Sequence, residues 1–118
     1  MSHSELLSVL PGEFDLLETP PSKLFYRGHP ALLNLRKVSI VGARKTYPYS
    51  RLITQKLASE LSKRDVCVVS GGAMGIDALS HEGAYPHTLA LLANGLDIAY
   101  PTVNKSLLQK MHTNAICL

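Results

Sequence analysis

Four short apolar runs punctuate the chain: VSIV at 38–41, VCVV at 66–69, LALLA at 89–93 and AICL at 115–118. Their starts lie 28, 23 and 26 residues apart, room enough for a helix between each pair. Continuous rather than alternating apolarity marks strands covered on both faces. The intervening segments carry the other periodicity. Ile53, Leu57 and Leu61 recur every fourth residue, which predicts a helix over about 48–63 with this stripe turned inward. Pro48 suits its first turn, where no backbone donor is needed. A shorter helix is predicted over about 75–83. A third is predicted over about 103–112, capped by Thr102 or Asn104, with Leu107, Leu108 and Met111 inward.

The order is therefore β-α-β-α-β-α-β, an α/β chain whose parallel strands are joined by right-handed crossovers. Upstream, residues 10–33 are broken by Pro and Gly, with one extended piece predicted at 24–27. This divides the chain into an N-terminal extension, 1–34, packed on a domain at 35–118. The chain closes on the last residue of its fourth apolar run. A doubly wound domain carries further strands and a covering helix, so the domain is expected to be incomplete at its C-terminus.

Composition narrows the picture. Apolar residues make up 46% and charged ones 18%, the balance of a single globular domain and not of a disordered chain. The longest apolar run is far too short to cross a bilayer, and no basic region precedes the N-terminal leucines. Cys67 and Cys117 each sit inside an apolar run, which reads as two buried, reduced thiols. A cytoplasmic protein with no membrane partner is expected. No Cys/His spacing suggests zinc, and no cofactor is expected.

The net charge of +3 conceals a segregation. Residues 1–22 hold four acids and no base, whereas residues 23–64 hold ten bases against the single acid Glu60. Charge gathered in this way favours a polyanionic partner; a merely solvated helix with its flanking loops is the alternative.

Candidate chemistry lies where strands end, because ligands of open parallel sheets sit at the carboxyl ends of their strands. Neither G-x-G-x-x-G after the first strand nor a G-x-x-x-x-G-K-[ST] loop is present. The second strand runs instead into SGGAMGID, 70–77. Gly71 and Gly72 can take positive φ and admit a ligand close to the main chain. The amides opening the next helix would then face outward with its positive dipole end. A tight turn without ligand is the competing reading. Arg44, two residues past Gly42, is placed to reach the same mouth. Catalysis finds less support. Ser70 lacks the G-x-S-x-G elbow, His81 reads as a structural histidine, Asp77 as a dipole-compensating acid, and Asp97 has no carboxylate near it in sequence.

The segments PSKLFYRG, VSIVGARK, SGGAMGIDALSHEGA, LANGLDIAYPTVN and the closing AICL resemble, in this order, the DNA-processing protein A (DprA/Smf) family. The similarity runs from about residue 20 to the end. It implies an extended Rossmann-like domain with helices on both faces, which binds single-stranded DNA during natural transformation and helps to load the RecA recombinase. Residue by residue, Arg44 matches the arginine of the family's G-x-R motif. Ser70, Gly71, Gly72 and Ala73 match the turn that receives a DNA phosphate; Gly42, Lys45, Met74 and Asn104 are the additional DNA contacts expected. Asp65 stands where a glycine is usual after the first helix, and Ser80 precedes His81 in place of alanine. Family members continue with further strands used for dimerisation, so a homodimer is expected of a complete chain. No enzyme activity is implied. A phosphoribohydrolase of the related lysine-decarboxylase-like fold is the rival; its P-G-G-x-G-T-x-x-E signature is not matched here, because the third glycine comes one residue late and the glutamate is missing. An inactive fragment is the third reading.

Overall fold

The computed structural model describes residues 4–7, 12–19, 21–96 and 100–118. Six strands form one mixed sheet: β1 (Glu5–Leu6), β2 (Phe25–Gly28), β3 (Arg36–Ser39), β4 (Val66–Ser70), β5 (Thr88–Ala90) and β6 (Ile116–Cys117), in the spatial order β1-β2-β6-β5-β4-β3. The last four run parallel, and β2 closes antiparallel onto β6, with Arg27 opposite Cys117. Between them lie α1 (Pro48–Lys63), α2 (Ile76–Ala84) and α3 (Lys105–Asn114). The predicted alternation is thus present, with each boundary within a few residues of its expected place.

Because β3, β4, β5 and β6 succeed one another across the sheet without reversal, right-handed crossovers bring all three α-helices to one face. Register agrees. Val68, Thr88, Ser70, Ala90 and Cys117 share that face, where Val68 packs with Ala58 and Ala84, and Ala90 and Cys117 with Leu107 and Met111. The opposite face shows Cys67, Leu89, Ile116 and Leu118, covered by Leu24, Leu32, Leu33 and Leu35 of the N-terminal segment. The helices expected on both faces are therefore of two kinds, α on one side and short 3-10 turns (Gly12–Leu16, Pro30–Asn34) in the N-terminal segment. Lys37 fastens the first of these turns to β3 by an ion pair with Glu13, which holds the Glu13 carboxyl below the usual range.

The predicted inward stripe of α1 is corrected in part: Leu61 packs against the core of Ala58, Val68 and Ala84, but the other two members do not. Ile53 and Leu57 remain 44% and 48% exposed, while Thr54 and Ala58, one position further round, are buried. The cause is the tight seam between α1 and α2. A Cβ on Gly83 would stand 2.9 Å from the Gln55 carbonyl oxygen and 3.0 Å from the Ala58 Cβ. Backbones this close accept only small side chains between them, so Ile53 and Leu57 are turned outward. After α1 the chain reverses at Asp65, whose φ of 57° is the left-handed conformation a glycine would adopt without strain.

Both cysteines are fully buried free thiols, and burial pushes Cys67 up to about 11 and Cys117 up to about 12. They stay protonated at neutral pH. No helix among the described residues is long and apolar enough to cross a membrane.

Candidate nucleic-acid interface

Two loops meet at the carboxyl ends of β3 and β4. The first, GARK at 42–45, presses against the start of α2: a Cβ on Gly42 would stand 2.8 Å from the Ile76 side chain, and the Ile76 amide donates to the Ala43 carbonyl at 3.1 Å. The second loop is the glycine turn. Gly72 and Gly75 take φ of 72° and 83°, and a Cβ on Gly75 would collide with the Ala43 and Arg44 carbonyl oxygens. Glycine is required there on both counts. Gly75→Ala is expected to lower stability by more than about 2 kcal/mol, from positive-φ strain plus the clash. A drop in the urea midpoint at constant slope would register it; an unchanged midpoint would mean the two loops are not packed together.

The interlock places Arg44 over a cavity of about 170 Å³, lined also by Gly71, Gly72, Ala73, Met74, Ala93, Asn94, Tyr100 and Pro101. Arg44 is exposed and makes no ion pair among the described residues. Five of the residues anticipated from sequence converge here: Arg44, Gly71, Gly72, Ala73 and Met74. The others lie elsewhere. Gly42 and Lys45 are exposed but do not line the cavity. Ser70 is buried, and its Oγ has no hydrogen-bond partner among the described residues. Asn104 is buried behind the turn, its Nδ2 donating to the Gly72 carbonyl at 2.9 Å. It occupies the cap position of α3 without capping it. Asp97 lies outside the described residues.

Of the amides at the opening of α2, that of Ile76 donates to the Ala43 carbonyl, and the amides of the preceding turn face inward. Gly71 and Ala73 donate to one carboxylate oxygen of buried Asp77 at 3.1 and 3.4 Å, and Gly72 donates to Nε2 of His81 at 3.2 Å. A carboxylate and an imidazole on successive turns of α2 thus collect three consecutive amides from within. The histidine's tautomer is fixed by its other neighbour. Thr88 Oγ1 donates its only proton to the Val68 carbonyl at 2.8 Å, so in its 2.7 Å contact with His81 Nδ1 it accepts. Nδ1 therefore carries the proton, and Nε2 is free to receive the Gly72 amide. His81 is fully buried and neutral; desolvation, opposed by the Asp77 charge, brings it down to about 4. A structural role for His81 accords with both ring nitrogens being engaged. Asp77 does more than compensate a dipole.

Sequence reasoning overlooked Asp77, His81 and Asn104 as the ties of the turn, and Tyr100 and Pro101 as cavity walls. The spacing of Asp77 and His81, four residues apart on one helix face, was the available signal. The ten bases also divide. Lys37 is held by Glu13, and Lys63 and Arg64 by Glu60. Arg27 donates to the Ser4 hydroxyl at 3.0 Å, and it makes no ion pair among the described residues, nor do Lys23, Arg36, Arg44, Lys45, Arg51 and Lys56.

A family model described as DNA recombination-mediator protein A matches residues 8–118. The chain is 39% identical over 84 residues to a putative DNA processing protein DprA of Mycobacterium tuberculosis, covering 69% of the chain and 22% of that relative. It is 34% identical over 109 residues to the DNA processing protein DprA of Streptococcus pneumoniae, covering 90% and 38%. Among solved structures, the single-stranded-DNA-binding DNA processing protein A of Helicobacter pylori superposes with a TM-score of 0.95 at 40% identity, covering 97% of this chain and 54% of that one. The Streptococcus pneumoniae DprA structure gives 0.86 at 29% identity, covering 96% and 42%. The chain thus spans well under half the length of these two curated relatives.

Proposed function

The chain belongs to the DNA recombination-mediator protein A family, and from that premise we propose that it binds single-stranded DNA without regard to base sequence, holding a backbone phosphate at Arg44. One observation carries the reading: an arginine with no ion pair among the described residues stands over a cavity floored by glycines. A guanidinium grips phosphate oxygens in bidentate fashion; the missing Cβ atoms of Gly71 and Gly72 serve packing instead, since they would meet Asp77 and the Leu92 side chain. With the amides of 71–73 engaged by Asp77 and His81, the guanidinium is the principal donor for the anion. The proposed setting is DNA processing in natural transformation, with RecA as protein partner and a homodimer as the working assembly of the complete protein. The role is that of a binder and not of an enzyme.

Titration of a labelled oligothymidylate at several salt concentrations tests this. Affinity is expected to fall steeply with salt, with a logarithmic slope of about 0.7 for each phosphate neutralised, and duplex of equal length is expected to bind more weakly. A flat salt response, or equal affinity for duplex, would refute the reading.

A further inference from the structure

The chain has five tyrosines, two phenylalanines and no tryptophan. Two of the tyrosines are occupied within the fold: Tyr26 donates to Glu5, and Tyr85 carries the Lys110 ammonium over its ring and accepts from Asn114. Tyr47, Tyr49 and Tyr100 are 79%, 74% and 63% exposed, their side chains with no hydrogen-bond or ring partner among the described residues. Tyr100 lines the Arg44 cavity; Tyr47 and Tyr49 flank Pro48 at the start of α1. Beside them an open depression of about 510 Å³ is lined by Thr46, Pro48, Arg51, Leu52 and Gln55. Thr46 is two residues from Arg44, so the depression and the cavity are joined by a segment spanning at most about 7 Å. Residues 44–56 hold Arg44, Lys45, Arg51 and Lys56 and no acid.

We infer that the start of α1 is a second subsite for single-stranded nucleic acid, where bases stack on Tyr47 and Tyr49 and Arg51 takes the accompanying phosphate. The inference rests on the phosphate seat proposed at Arg44 and extends it along the strand. Charge complementarity names the occupant: exposed rings interleaved with unopposed cations match a polyanion whose every unit carries a flat face, and every base offers that face regardless of sequence. Tyrosine loses few rotamers on stacking, and Pro48 between the two rings stiffens their backbone further. The exposed Leu52, Ile53 and Leu57 further along α1 would suit an apolar protein surface instead, and the test separates the two.

Tyr47→Leu and Tyr49→Leu keep apolar bulk and remove the ring. Each is expected to weaken oligothymidylate binding roughly 5- to 150-fold without changing the salt slope, and phenylalanine at either position should restore it. Arg51→Ala should instead flatten the slope by about 0.7. An abasic oligonucleotide, with phosphates but no bases, should bind the parent protein and both leucine variants alike. With no tryptophan present, quenching of the tyrosine emission on binding gives an independent signal. Circular dichroism checks that each variant is folded. If the parent protein binds oligothymidylate with a salt slope and Arg44→Ala weakens it, while both leucine variants bind as tightly as the parent, the subsite is refuted and the Arg44 seat stands. If the parent protein shows no salt-dependent binding, both fall.

Discussion

Arg44→Ala is expected to weaken single-strand binding by about one to two orders of magnitude, since a charge-assisted bond to phosphate contributes roughly 1.5–3 kcal/mol. The loss of one neutralised phosphate should also reduce the logarithmic salt slope by about 0.7. The inward-facing amides sharpen this expectation. Were three backbone donors to share the anion, removal of one side chain would be partly compensated; with Asp77 and His81 already receiving those donors, it is not. Arg44→Lys should recover the slope but only part of the affinity, because an ammonium supplies charge without the planar fork. The measurement is the oligothymidylate titration repeated for each variant, with a nucleoside monophosphate run in parallel. Unaltered affinity and slope in Arg44→Ala would move the phosphate to another place. Loss of monophosphate binding, with weak oligonucleotide binding throughout, would favour a nucleotide hydrolase.

A second large effect concerns acid. In an unfolded chain His81 titrates near 6.5, whereas its buried imidazole lies at about 4 in the folded protein. Between those values the unfolded state holds the extra proton, so acid favours unfolding. The stability tied to neutral His81 is complete above about pH 6.5 and lost as pH falls to about 4. At 1.36 kcal/mol per unit the loss comes to roughly 3 kcal/mol. Geometry gives the reason: a protonated Nε2 would point its hydrogen at the Gly72 amide, donor against donor. The Asp77 carboxylate opposes the shift without cancelling it. His112, half-buried and also lowered by desolvation, adds to acid sensitivity in the same direction, so substitution at position 81 isolates the effect. His81→Gln retains an acceptor and should flatten the urea-derived stability profile between about pH 6.5 and 4. His81→Leu should flatten it too and lose about 1–3 kcal/mol at neutral pH, because the Gly72 amide is left unpaired. A parent protein equally stable at about pH 7 and pH 4.5 would contradict the assignment.

The strands and helices were legible because their signals are local. Short apolar runs and a fourfold stripe need no knowledge of partners, and α1 begins and ends where its pattern says. The face it buries was not legible. Which of two adjacent stripes goes inward depends on how closely α2 approaches, and that is set by Gly83, far along the chain. The short β1 carries too few residues to show a period. At the site, Arg44 and Gly71–Met74 could be gathered from the rule that ligands lie at strand ends. The destination of the amides could not. A dipole argument predicts outward donors, and only the structure shows acceptors from the first two turns of α2 waiting beneath them. Tyr100 was hidden for a similar reason: its place beside Arg44 comes from strand order, which the sequence pattern left open.

The ties on the glycine turn also bear on time. Gly71, Gly72 and Ala73 are held by Asp77 and His81 from below, and the Gly72 carbonyl by Asn104 at the head of α3. Such a turn is ordered when the chain folds, so a strand bound as proposed would meet a finished surface with no rearrangement to wait for. On the proposed reading, encounter would be set by long-range attraction to the unopposed cations, and the dwell of the strand in part by how long the Arg44 fork keeps its phosphate. A rigid seat of this kind would separate capture from retention on the proposed reading, with release governed by the Arg44 fork together with the α1 subsite.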